Sequence, residues 1–186
     1  MLTMVTCLVE GAHTLGCLVF LISYHQVDDV GDMQAYLARL KDIDRVFDQL
    51  LERAQAAADN GILQPRFGFD SAISEIQRVT AGVPFNASDE SPNSPIWVDI
   101  QTKLENLVQR QVIDSNTAQT YLTEARGILS GEVMASYQKV LNWLQQNRNY
   151  ASKESEGVWA LPNGEEYYNH RLKRMTTVDL SVRVRL

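Results

Sequence analysis

The spacing of apolar residues between Met33 and Ala54 limits this chain more than any other feature. Met33, Tyr36, Leu37, Leu40, Ile43, Phe47, Leu50 and Ala54 recur every three or four residues. That is the repeat of one helix face; a strand would alternate every second residue. A shorter stripe runs through Trp97, Ile100, Leu104, Leu107 and Val108. A longer one takes in Tyr121, Leu122, Ala125, Ile128, Leu129, Val133, Tyr137, Val140, Leu141 and Leu144. The chain therefore reads as all-α, built from several amphipathic helices.

The helix ends are marked as well. Asp28 or Asp29 can cap the first long helix, and Gly61 stands where a left-handed turn would end it. Whether Lys41–Asp44 continues or kinks that helix is left open by the pattern. "LQPRFGF", from Leu63 to Phe69, reads as an ordered loop before a short helix from Asp70 to about Thr80. Ala81–Pro95 is a loop, and its Ser94 offers a capping hydroxyl ahead of Pro95 at the first helical position. Asp114 or Ser115 starts the next helix. Gly131 lies inside its pattern, which predicts a bend or a close helix contact. At the end, Leu180, Val182, Val184 and Leu186 alternate with Ser181, Arg183 and Arg185, predicting an irregular or short β-like finish.

Composition narrows the function classes. The 186 residues are 45% hydrophobic and 22% charged, a globular balance. The net charge of -6 and pI near 5.1 make a surface that repels phosphates, so no nucleic-acid partner is expected. Cys7 and Cys17 are too few for a disulfide framework or a cysteine zinc site, and read as small buried residues. Residues 1–23 are apolar apart from Glu10 and His13, but no Lys or Arg precedes Arg39, and Glu10 interrupts the run. They read as a buried core segment in preference to a degenerate signal or anchor, or a mis-called start. "TLGC" at Thr14–Cys17 only faintly resembles a lipoprotein cleavage box. A membrane partner is disfavoured, and the compartment, cell envelope or cytoplasm, stays undecided.

No catalytic constellation stands out. His13, His25 and His170 are the only histidines, and none has a second His at the HExxH spacing that places two zinc ligands one helical turn apart. His170 reads as solvated on a charged helix, and His25 as a hydrogen-bonded structural residue in preference to a binding one. There is no Gly-rich phosphate loop. Glu165 and Glu166 suit the positive end of a helix dipole better than acid–base work, and "HRLKR" suits its other end.

Two stretches carry a family resemblance. Ser23–Phe67, with "YLARL" leading into "GILQPRF", and Gly157–Ser181, with "LPNGEEYY" followed by "RMTTVDLS", resemble the bacterial domain-of-unknown-function 885 family. The likeness implies an apolar segment over 1–19, a helical family region over 20–181 and a non-family tail over 182–186. Members are longer than this chain and are similar to helical zinc metallopeptidases whose HExxH-like motif lies downstream. The resemblance thus implies a front helical region lining a peptide-substrate cleft, with zinc on the missing C-terminal half and no cofactor, metal ligand or activity in this chain alone. The rival expectation is a self-sufficient helical interaction module. Motif positions are His25, Pro65, Arg66, Gly157, Pro162, Gly164, Tyr168, Thr176 and Thr177. They read as structural, the glycines and prolines setting turns, Tyr168 packing and the threonines bonding the connector, or else as lining the cleft.

Overall fold

The computed structural model describes residues 14–86, 91–153, 157–158 and 163–178. Their helices are α1 Thr14–Ser23, α2 Val30–Lys41, α3 Ile43–Asp59, α4 Arg66–Val79, α5 Pro95–Gln109, α6 Ser115–Ile128, α7 Met134–Arg148 and α8 Gly164–Thr176, with a π-helical turn, Leu129–Val133, joining α6 to α7. Among the described residues the one β-type pairing is an isolated bridge between Val83 and Asn93. The fold is all-α. The alternating C-terminal stretch lies outside the described residues, as do Cys7, His13 and Pro162.

The chain divides into two compact units, Met1–Ala151 and Ser152–Leu186. In the first, α7 packs on α3 and α4, α5 on α1 and α6, and the π turn on α2 and α3. All eight residues of the Met33–Ala54 stripe are buried. Each contributes roughly 1.5–3 kcal/mol if large, less for Ala54, by leaving water. Phe47 meets Tyr137 edge-on at 5.0 Å between ring centroids, joining α3 to α7. Polar clasps lie at the margins of this packing. Lys139 on α7 binds both Asp44 (2.8 Å) and Asp48 (2.9 Å) on α3, and Trp143 Nε1 donates to Gln55 Oε1 at 2.8 Å.

The boundary signals met mixed outcomes. Asp29 caps α2 by accepting from the Asp32 amide, and Asp114 caps α6 through the Thr117 amide. Gly61 adopts φ 73° just past α3. Asp42 interrupts the first long stripe for one residue, ending α2 and starting α3, and its carboxylate is gripped by Arg45 at 2.8 and 2.5 Å. Two expectations are corrected, and of the two readings of Gly131 one is set aside. Helix α4 begins at Arg66, four residues before Asp70, because Pro65 takes the cap position and Gly68 turns inward to pack. Ser94 does stand at the cap of α5, but its hydroxyl is buried with no partner. Gly131 makes no close helix contact; a Cβ there would meet nothing within 4 Å, and the helix widens into the π turn instead.

In the second unit, α8 has Glu165 and Glu166 in its first turn and Lys173 and Arg174 in its last, matching its dipole at both ends. Only Gly164 of this helix is buried.

Candidate functional site

The first polar cluster joins α1, α2 and α5. His25, just after α1, is 7% exposed. Its ring lies 5.1 Å from that of Tyr36, and Arg39 Nη1 approaches its Nδ1 at 2.7 Å. A guanidinium can only donate, so that nitrogen must be unprotonated. Burial, reinforced by the charge on Arg39, accordingly holds the imidazole's pKa below its ordinary value. Beside it, Tyr36 donates to Asp99 Oδ2 at 2.8 Å. Lys103 sits 2.5 Å from Asp99 Oδ1 and reaches the carbonyls of Leu21 and Ile22, the last turn of α1, at 3.3 and 3.5 Å. Burial first, then the Asp99 charge, pushes the Tyr36 hydroxyl far above the usual phenol range. Every polar group here has its partner inside the protein, and the arrangement fastens three helices together.

Next to this cluster, Arg39 also borders a groove of about 360 Å³ whose floor is Cys17, Phe20, Leu21, Ile43 and Val46. Its edge carries both signs of charge, Arg39 and Asp42, above that apolar floor. Cys17 is only half-buried in it, short of the full burial expected, and its partial desolvation raises the thiol pKa.

The second cluster is different in kind. At the start of α4, the Gln64 Nε2 and Arg66 Nε donors are both sealed from solvent and have no acceptor. Among the described residues Arg66 Nη2 reaches Asn149 Oδ1, at 3.5 Å. Asp70, one turn along, is held by both Nε and Nη2 of Arg148. Those hydrogen bonds, with the Arg148 and then the Arg66 charge, depress its carboxyl pKa. Phe67 and Tyr150, next in the chain to Arg66 and Asn149, are 63% and 81% exposed.

The motif positions therefore separate. His25 joins the buried clasp, where Tyr36 and Arg39 of "YLARL" meet it. Pro65 and Arg66 form the α4 corner. Gly164, Tyr168, Thr176 and Thr177 belong to the second unit; Gly157, with φ 22°, makes a turn there. The threonines do bond the backbone, Thr176 Oγ1 to Leu172 O at 2.7 Å and Thr177 Oγ1 to Thr176 O at 2.7 Å. Tyr168 does not pack as expected; it is 47% exposed. Asp99 and Lys103 were not singled out from sequence, because acid and base four apart on a helix look like any solvated pair.

Zinc needs three or four converging ligands. Among the described residues no group of three or more His, Cys, Asp or Glu could hold a metal ion, and the His25 nitrogen already accepts from Arg39. These residues do not fit the metal. No helix among them is long and apolar enough to cross a membrane.

The family described as "Bacterial protein of unknown function (DUF885)" matches residues 8–184. This chain belongs to the DUF885 family. A crystal structure of "the putative lipoprotein from Colwellia psychrerythraea" shares the fold, with a TM-score of 0.75 at 22% identity over 87% of this chain. The chain spans only 26% of the length of that relative. No curated protein matches it.

Proposed function

We propose that this DUF885 region is a wall of the substrate cleft in a larger zinc-metallopeptidase-like protein. Zinc and a water-activating glutamate would come from sequence outside these 186 residues. The observation that carries the reading is the partial coverage of the solved relative: 87% of this chain matches only 26% of a longer one. What these helices supply is shape and charge. The Cys17–Val46 groove offers an apolar floor with Arg39 and Asp42 at its edge, suited to an extended peptide with mixed side chains. The partly buried Lys103–Asp99 clasp keeps the helices bordering that groove in place. Hydrolysis by this chain alone is not expected.

The test is a metal and activity assay on the purified chain. Metal content well below one zinc per chain, with no cleavage of a mixed peptide library, is the expected result. Stoichiometric zinc with turnover would end the reading. An inactive chain that unfolds in urea through one steep, concentration-independent transition would favour the self-sufficient interaction module instead.

A further inference from the structure

One side chain belongs both to the buried clasp and to the groove beside it. Arg39 lines the groove, and its Nη1 stands 2.7 Å from Nδ1 and 3.3 Å from Nε2 of His25. That contact requires a neutral imidazole, because a proton on Nδ1 would point at a guanidinium N–H. Among the described residues, the charged and titratable groups around His25 come from two helices. Helix α2 brings Arg39, Asp32 and the Tyr36 ring, and α5 brings Lys103, with Asp99 held between Lys103 and Tyr36. Asp32 favours the proton, while Arg39 and Lys103 oppose it. When His25 becomes charged, one of those two cations has to give way. Lys103 is firmly anchored: it bonds both Asp99 oxygens and the Leu21 and Ile22 carbonyls, and its side chain is 13% exposed. Arg39 is exposed, and among the described residues its side chain bonds to His25 alone. A receiving carboxylate lies three residues on. Asp42 lines the same groove, and its amide donates to the Ala38 carbonyl, so helical geometry carries it to the position beside Arg39. Arg45 bonds each of its oxygens once, leaving lone pairs for a second guanidinium. The same bonds hold the Asp42 carboxyl pKa low, so it stays ionised while His25 titrates.

We infer that the His25–Arg39 contact is a proton-operated latch on the Cys17–Val46 groove: neutral His25 holds Arg39, and protonated His25 releases it along the groove's edge to Asp42. In acid the edge then carries Arg39, Asp42 and Arg45 as one cluster, so what the groove admits depends on pH. The latch works on the chain's own residues and does not require that the occupant be a peptide. Zinc-dependent turnover would therefore end the cleft-wall reading and leave the latch standing.

The experiment is a pH titration of the ¹⁵N,¹³C-labelled 186-residue chain from pH 7.5 to 5. Three signals are followed: the His25 ring, the Arg39 Nε–Hε group, and the methyls of Val46, half-buried in the groove lining. All three should move with one midpoint, lying below the ordinary imidazole value of 6.5. Arg39→Gln removes the opposing cation and should raise the His25 midpoint towards that value while the Val46 methyls stay still. His25→Gln should leave the Arg39 and Val46 signals flat across the range. Asp42→Asn should leave His25 titrating but shrink the Arg39 shift several-fold. The α6 amide signals should hold their positions in every case, marking the change as local. Arg39 and Val46 signals that stay still while His25 titrates, or that titrate equally in His25→Gln, overturn the latch. So does an undiminished Arg39 shift in Asp42→Asn, or movement of the α6 amides together with Val46, which would make the event general unfolding.

Discussion

Lys103 Nζ and Asp99 Oδ1 stand 2.5 Å apart on one turn of α5, with side chains only 13% and 15% exposed. The pair is not self-contained. Lys103 also takes up the Leu21 and Ile22 carbonyls, which have no partner inside α1 because they end it. Tyr36 supplies Asp99 with a further donor. One ammonium group thus neutralises a half-enclosed carboxylate and closes the end of another helix.

Removing that ammonium should be costly. Lys103→Met keeps most of the volume but leaves Asp99 charged and without its counter-ion, and strands the α1 carbonyls. The loss is expected at about 3 kcal/mol in urea unfolding. Adding Asp99→Asn to the same variant should recover a good part of it, since the leftover charge disappears while an acceptor for Tyr36 remains. A single-variant loss below about 1 kcal/mol would mean the pair behaves as a solvated surface bridge.

His25 makes stability depend on pH in a stated direction. Its pKa in the folded chain lies below the ordinary 6.5, through burial and the Arg39 and Lys103 charges, with Asp32 opposing them. Unfolded chains therefore bind the proton more readily, and stability falls as pH drops below about 6.5 and is flat above it. Unfolding midpoints at pH 7.5 and 5.5 should differ in the native chain. His25→Gln should lose stability at pH 7.5 and show a smaller drop between the two values. An equal drop in both proteins would place the dependence on other groups.

Two helix caps should respond oppositely to alanine. Asp29 accepts from the Asp32 amide at 2.9 Å, so Asp29→Ala is expected to cost about 1 kcal/mol. Ser94 occupies the same position on α5, but its buried hydroxyl bonds to nothing. Ser94→Ala removes an enclosed unsatisfied group and should be neutral or mildly stabilising in thermal unfolding. A loss there comparable to that of Asp29→Ala would show that the hydroxyl does cap.

What could be read from the residues follows the physics each one obeys. The stripes through Met33–Ala54 and Tyr121–Leu144 were legible because every member packs, and packing imposes the 3.6-residue period. The start of α4 was not, since the Pro and Gly of "LQPRFGF" signal a loop whichever side of a helix boundary they fall on. The π turn at Leu129–Val133 leaves its neighbours' apolar spacing almost unchanged, so only Gly131 hinted at an irregularity. Of the clasp, His25 was visible as a polar residue after an apolar run. Its partners were hidden: Tyr36 passed as a stripe member, and Asp99 with Lys103 as a surface pair. Their role comes from α1 carbonyls some eighty residues away in sequence. Pro65 and Arg66 were marked by motif, while the orphaned donors beside them appear only once Asn149 and Arg148 are brought across from α7.

Two glycines provide a last contrast, because the backbone asks different things of them. Gly82 has φ 86°, a region that side chains rarely enter, and a Cβ there would lie 2.1 Å from the Pro92 carbonyl oxygen. That oxygen is itself engaged, accepting from the Val83 amide at 3.0 Å, and the Ser94 amide donates to Val83 O at 2.8 Å in the same crossing. The two chain segments are thus held together where the side chain would have to fit, and neither can yield without breaking these bonds. Gly82→Ala should lose at least about 2 kcal/mol from strain and displacement together. Gly127 sits on the exposed side of α6 with nothing within 4 Å of a built Cβ, so Gly127→Ala should gain up to about 1 kcal/mol by restricting the unfolded chain. Parallel urea curves for the two variants decide the matter. If both move the midpoint the same way, the Gly82 crossing is looser than its hydrogen bonds imply, and the loop before α5 is not pinned there.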